Sequence, residues 1–181
     1  MSWNLGHQAR IATREGRLED AIGLFGRSAD RARELGYPRG VQASMAGLAE
    51  ANVAAGDLRA AETAFIGSLA AAEQVSMVRE MLGMMTKIAS IRAEVGHKQE
   101  AVELLSTVLA EPTSVQRLFT DNAPISEVAS AALTELQKEL DPNEYSAAHA
   151  SGTLRPYDVA AKELIDSLDT RPHTPSELGD L

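Results

Sequence analysis

The side chains that most often do chemistry are sparse in this chain, and their spacing does not bring them together. The 181 residues include no cysteine, which excludes disulfides, thiolate metal sites and thiol nucleophiles. No two of the four histidines lie at the four-residue spacing of helical metal ligands; they are His7, His97, His149 and His173. No glycine-rich segment ends in the Lys-Ser or Lys-Thr pair of a phosphate loop. We therefore expect no catalytic, cofactor or metal site, and a protein that is not an enzyme.

Two arginines have a spacing that suits anion binding. Arg10 and Arg14 are four residues apart, so that on a helix they lie one turn apart on the same face. Two guanidinium groups in this arrangement can hold a carboxylate through forked hydrogen bonds. The alternative is that both are solvated side chains that bind nothing.

The charge distribution narrows the class of partner. The chain has a net charge of −9, with +2 over residues 1–40, −3 over 41–110 and −8 over 111–181. Nucleic-acid binding depends on Lys and Arg displacing counterions, so we expect no nucleic-acid partner. Uncharged stretches reach only about half the length of a bilayer span, and the start of the sequence has no apolar signal segment. These observations predict a cytoplasmic protein without a membrane partner. Its basic N-terminal part, residues 1–40, could bind an acidic partner.

The elements that must position these residues follow from a forty-residue repeat. Shifting the sequence by forty residues aligns small and apolar residues in five columns over three copies. The columns are Leu5, Met45, Met85; Ala9, Ala49, Ala89; Gly16, Gly56, Gly96; Ala21, Ala61, Ala101; and Phe25, Phe65, Leu105. A fixed period of this length is typical of proteins built from stacked repeats.

Each copy predicts a pair of helices joined by a glycine. Apolar residues recur at intervals of three and four on both sides of the glycine, which indicates two amphipathic helices. Glycine readily adopts the left-handed backbone that ends the first helix. A lone pair cannot cover its apolar stripes, so neighbouring pairs must stack. The sequence thus predicts an all-α solenoid of three helical hairpins within residues 1–110, at about 3–36, 38–76 and 78–110.

These columns resemble those of the tetratricopeptide repeat (TPR), in which a small residue, a glycine, an alanine and a phenylalanine recur in that order. The likeness covers about residues 3–110, with a period of 40 instead of 34 and without the proline that closes each repeat. It is similar to the large-repeat type found in bacterial regulators. The resemblance implies a right-handed TPR-like solenoid that binds partner segments on its concave face.

The resemblance also implies which side chains face a partner, because fixed positions of each first helix line the concave face in this family. In this chain, the polar, charged and aromatic residues at those positions include Trp3, His7, Arg10, Arg14, Glu50, Lys87, Ser90 and Glu94. The family's clamp for C-terminal carboxylates uses Lys and Asn, which Gly6 and Arg10 replace here. That difference argues against a chaperone-tail ligand.

Residues 111–168 predict a helical cap, and residues 169–181 a flexible tail. We expect a loop with a short helical piece at 115–119 and a helix from about Pro124 to Leu140. A short helix broken by Gly152 and a last helix over 156–168 should follow. This arrangement is similar to the end of the repeat region in bacterial signalling ATPases and LuxR-type regulators.

Together these features predict a non-catalytic module that binds a protein or peptide, as a scaffold or as a regulatory adaptor in signalling. One alternative is a homo-oligomerisation module, in which uncovered solenoid ends pair and Trp3 lies exposed at the first end. The other is a ligand-sensing region related to signalling ATPases. Light scattering at two concentrations would separate self-association from the binding of a peptide by a monomer.

Overall fold

The computed structural model describes residues 2–115 and 124–170, with side chains described over 4–114 and 124–168. The described chain is all-α, as the repeat pattern predicts, and contains no strand. Its helices are α1 (Ser2–Arg14), α2 (Leu18–Glu34), α3 (Pro38–Ala55), α4 (Leu58–Glu73), α5 (Val78–Glu94), α6 (Lys98–Ala110), α7 (Ile125–Glu139), α8 (Pro142–Leu154) and α9 (Tyr157–Thr170), with a 3-10 turn at Pro112–Val115 after α6.

Each of the first six helices packs against the helix that follows it in the chain, and α1 also contacts α3. Beyond α6 the order changes: α7 and α8 both pack against α6, and α9 packs against α4, α5 and α6. Within the described ranges, no helix combines the length and the apolar character needed to cross a membrane.

The turns between the first six helices repeat every twenty residues. One residue in each turn has a left-handed backbone, and these residues are Gly16, Gly36, Gly56, Ser76 and Gly96. In every case the next residue donates its backbone N–H to the carbonyl five residues back, over 2.8 to 3.0 Å. This bond closes the end of the preceding helix and satisfies one of its free carbonyl groups. The same type of turn thus connects the first six helices at all five positions.

The aligned columns form the core of the helix pairs. All three residues of the first alanine column (Ala9, Ala49, Ala89) and all three of the second (Ala21, Ala61, Ala101) are fully buried. Phe25, Phe65 and Leu105 are also buried, with at most 5% of their surface exposed. Small side chains allow two helices to approach closely, and the larger side chain fills the space beside them. Burial is therefore confirmed for these three columns, whereas in the column of Leu5, Met45 and Met85 only Met85 is fully buried.

The helices after residue 124 agree with the expected order, except at Gly152. We expected this glycine to break a short helix, but α8 continues through it to Leu154. Gly152 is buried because α8 crosses α6 there at backbone distance: a Cβ atom at Gly152 would lie 2.8 Å from the Cα of Glu103. Gly152 therefore permits the close crossing of two helices and does not form a turn.

Asp141, immediately before α8, caps this helix, since its carboxylate accepts the backbone N–H groups of Asn143 and Glu144. The helical piece expected at 115–119 lies almost entirely outside the described residues. The last helix, α9, extends to Thr170, two residues beyond the expected bound of 168. The rest of the expected tail, residues 171–181, lies outside the described part of the chain.

Candidate binding groove

A groove of about 260 Å³ opens between α1, α2 and α3. We call it the arginine groove, because two arginines from different helices line it. Its lining residues are Gly6, His7 and Arg10 of α1, Phe25, Ser28 and Ala32 of α2, Tyr37 of the turn, and Arg39, Gly40, Ala43 and Ser44 of α3. No Asp or Glu occurs among these described residues, so the groove combines apolar and hydroxyl surface with basic side chains.

The apolar part of the groove depends on a close approach between Phe25 and α3. A Cβ atom at Gly47 would lie 2.5 Å from the Cζ of the Phe25 ring, so the ring occupies space that only glycine leaves open. Beside it, the buried hydroxyl groups of Ser28 and Ser44 are 2.8 Å apart and share a hydrogen bond between α2 and α3. The groove therefore has a well-packed base.

Tyr37 borders the groove from the turn between α2 and α3. Its ring is 41% exposed and lies over Gly40, where a Cβ atom would approach the ring Cε1 to 2.8 Å. Pro38 begins α3 immediately afterwards, a position where its missing N–H costs no hydrogen bond. The short turn thus places Tyr37 and Arg39 at the same edge of the groove.

The basic side chains at this end of the molecule are of two kinds. Arg10, Arg14 and Arg39 are exposed, and none forms an ion pair or a hydrogen bond through its side chain with any described residue. Arg17 instead donates to Glu15, and this hydrogen bond raises the pKa of its guanidinium group. Two further arginines pair with acids one turn away, namely Arg31 with Glu34 and Arg33 with Asp30. The arginines of the groove are thus available to an external anion.

The structure brings together only some of the residues that the sequence predicts for a partner site. His7 and Arg10 line the groove side by side with Ala43. The others with described side chains are exposed but do not line it: Arg14, Glu50, Lys87, Ser90 and Glu94. The side chain of Trp3 lies outside the described residues, although its backbone is part of α1.

Arg39 is the main residue that the sequence analysis missed. The only residue of α3 predicted to face a partner is Glu50, whereas Arg39 lies near the start of this helix, which begins at Pro38. A helix start at Pro38 puts Arg39 in the first turn, and this signal was present in the sequence. Arg79 lies forty residues later, in the first turn of α5, where its Nη1 atom is buried without a hydrogen-bond partner among the described residues.

No protein-family model matches the chain, and no curated protein sequence matches it. Among solved structures, the crystal structure of BtubC (BKLC) from P. vanneervenii is similar to the whole chain. The match has a TM-score of 0.67 and 15% sequence identity, and it covers 99% of this chain and 69% of that one. At this identity the likeness concerns the fold alone, and function has to be argued from the site.

Proposed function

We propose that the protein is a non-catalytic binding module with a TPR-like solenoid architecture, and that an acidic protein segment binds in the arginine groove. The observation that carries the proposal is that Arg10 and Arg39, which pair with no described residue, line an apolar cavity whose described lining has no carboxylate. The groove lies between α1 and α3, the first helices of two successive pairs, with α2 also contributing to its lining. First helices are where the resemblance to the TPR family places partner segments.

The solenoid part of the proposal draws support from the repeated turns and core columns. Helices α1 to α6 contact their successors in order, and five turns of the same kind separate them. Stacked repeats of this type contact only their neighbours and present an extended binding surface.

The chemistry of the groove favours a ligand with both an apolar side chain and carboxylates. A cavity of about 150 Å³ is enough to hold a molecule the size of benzene, so the groove can accept an aliphatic side chain together with part of a peptide backbone. Arg10 and Arg39 can then donate charge-assisted hydrogen bonds to flanking Asp or Glu side chains. Exposed ion pairs contribute roughly 0.2–1 kcal/mol each. A basic segment would replace this attraction with repulsion, so the two arginines favour acidic over basic segments.

The test is a titration of fluorescein-labelled peptides that contain one leucine flanked by Asp and Glu, against a control in which Lys replaces the acids. We expect the acidic peptide to bind and the basic one not to bind. In the double variant Arg10→Glu, Arg39→Glu, affinity should fall at least about tenfold per arginine, since 1.4 kcal/mol corresponds to a factor of ten.

The matched control is the double variant Arg27→Glu, Arg59→Glu. Both arginines are exposed, form no ion pair among the described residues and lie outside the groove, so the net charge changes equally. If the control loses affinity as strongly as the groove variant, the attraction is one of overall charge, and the proposed site is wrong. Circular dichroism confirms that each variant is folded.

A further inference from the structure

The corner between α8 and α9 has the most exposed large apolar side chain of the described residues. Leu154, the last residue of α8, is 85% exposed. Pro156 is also exposed, and Val159 in the first turn of α9 is 44% exposed. A single exposed leucine is ordinary, but Leu154 and Pro156 line one shallow depression and together form an apolar surface that a partner can cover.

Carboxylates accompany this corner. Glu111 and Asp158 line the same shallow depression as Leu154. The basic residue nearby, Arg155, is occupied by ion pairs to Glu103 and Glu163 at 3.5 and 3.4 Å. The corner therefore presents an apolar side chain flanked by acids.

This combination is the complement of the arginine groove. The groove has an apolar base beside Arg10 and Arg39, which form no ion pair with any described residue, and the corner has an exposed leucine beside carboxylates. The wider charges agree, because residues 1–40 have a net charge of +2 while residues 124–168 contain three basic and eight acidic residues. Complementary charges steer association and fix the register of two surfaces.

We infer that the acidic segment bound by the groove is the α8–α9 corner of a second copy of this chain, with Leu154 inserted beside Phe25 and Tyr37. The inference rests on the proposed function of the groove and adds the identity of its occupant. Because the corner and the groove are different surfaces, the contact is heterologous: each copy offers one free groove and one free corner. Such contacts form rings when they close and filaments when they do not.

The experiment uses sedimentation velocity on the full chain over a concentration series at low salt. We expect the wild type to grow beyond a dimer as concentration rises, and to dissociate when salt screens the charges. Leu154→Asp removes the corner and leaves the groove, whereas the double variant Arg10→Glu, Arg39→Glu removes the groove and leaves the corner. Each variant alone should be monomeric.

Mixing the two variants gives the decisive outcome. Leu154→Asp still has a groove and the arginine variant still has a corner, so an equimolar mixture should form one-to-one dimers and nothing larger. The control variants Val95→Asp and Arg27→Glu, Arg59→Glu change exposed residues elsewhere and should associate like the wild type. A mixture that stays monomeric while the wild type associates would overturn the inference, because a contact between corner and groove requires the dimer.

Failure of this inference can be told apart from failure of the proposed function. If the wild type is monomeric at all concentrations but the acidic peptide binds, the groove is a binding site whose occupant is another protein. If the wild type does not self-associate and the acidic peptide does not bind, both proposals are wrong. If the wild type self-associates and the peptide binds, Leu154→Asp should abolish self-association and leave the peptide affinity within twofold of wild type.

Discussion

Gly36 and Ser76 lie forty residues apart in the sequence and have nearly the same left-handed backbone, with φ of 58° and 52°. The following residue makes the same bond in both turns: Tyr37 donates to Ala32 over 2.9 Å, and Met77 donates to Ala72 over 3.0 Å. The second turn therefore has a serine in the left-handed backbone conformation that a glycine adopts in the first turn. A left-handed backbone costs roughly 1–2 kcal/mol in a residue with a Cβ atom.

We expect Ser76→Gly to stabilise the protein. The relief of backbone strain exceeds the roughly 0.5–1 kcal/mol of chain entropy that glycine loses on folding, so the net gain should be about 0.5–1 kcal/mol. Thermal unfolding should show a melting temperature higher by about 1–4 °C, on the scale of 2–4 °C per kcal/mol for a chain of this size. The reverse change, Gly36→Ser, should lower it. An unchanged Ser76→Gly variant would mean that the turn stores no strain.

A second prediction about stability concerns the crossing of α6 and α8. The hydroxyl group of Thr107 donates a hydrogen bond of 2.9 Å to the carbonyl of Gly152. At this point Glu103 leaves no space for a Cβ atom on residue 152. Gly152→Ala should therefore destabilise the fold by about 1–3 kcal/mol, the usual cost of overpacking. Denaturant unfolding measures the change. Gly23→Ala is the control: it lies in α2 with no atom within 4 Å of the new Cβ, and should stabilise by up to about 1 kcal/mol.

Gly40→Ala should separate binding from stability. The new methyl group would meet the ring of Tyr37, which is partly exposed and can rotate away. It would also lie 3.1 Å from the Cβ of the buried Ala32, so a small shift of α3 is needed and we expect a melting temperature lower by a few degrees. Moving the ring off the edge of the groove should weaken the acidic peptide about three- to tenfold, a loss of roughly 0.7–1.4 kcal/mol. Fluorescence anisotropy with the labelled peptide measures this. Full affinity in the variant would show that Tyr37 takes no part in binding.

The ion pair between Arg92 and Glu62 should contribute more to stability than those on the surface. The two side chains are only 15% and 14% exposed, and Arg92 Nε lies 3.0 Å from Glu62 Oε1. Arg92 also pairs with Glu100, whose side chain is 52% exposed, so Glu62 is the buried one of its two carboxylate partners. Glu62→Gln removes that buried charge and leaves the exposed one, so we expect a loss of about 1–3 kcal/mol in urea unfolding.

The comparison for this pair is Asp30→Asn, which breaks the exposed contact with Arg33. Exposed pairs contribute roughly 0.2–1 kcal/mol and are screened by salt. The Asp30→Asn variant should therefore differ little from wild type, and less still in 0.5 M salt. Equal effects of the two substitutions would show that burial of the Arg92 pair is energetically unimportant.

Much of the fold could be predicted from the sequence because its information is local and repeated. The spacing of Gly16, Gly56 and Gly96 indicates where helices end, and the alanine columns indicate which faces are buried. Gly152 could not be interpreted this way, because its role depends on a helix that lies 45 residues away. A glycine that ends a helix and one that permits a close crossing look the same in a single sequence.

The site was predicted only in part, for a related reason. The four-residue spacing predicts Arg10 and Arg14 as a pair on one face of a helix. In the structure Arg10 lines the groove together with Arg39 of α3, and Arg14 does not line it. Which of several exposed arginines share a groove depends on how α1 and α3 are placed, and the spacing along one helix contains no such information.

The twenty-residue spacing of the turns has a consequence for how such a chain can change in length. Removing residues 37–76 would join Gly36 directly to Met77, and the left-handed turn would still precede the first helix of a pair. In that shortened chain Arg79 would take the place of Arg39. Duplication or loss of whole forty-residue segments could thus lengthen or shorten the molecule over evolution. Each turn would keep its left-handed residue, and an arginine would remain at the position of Arg39.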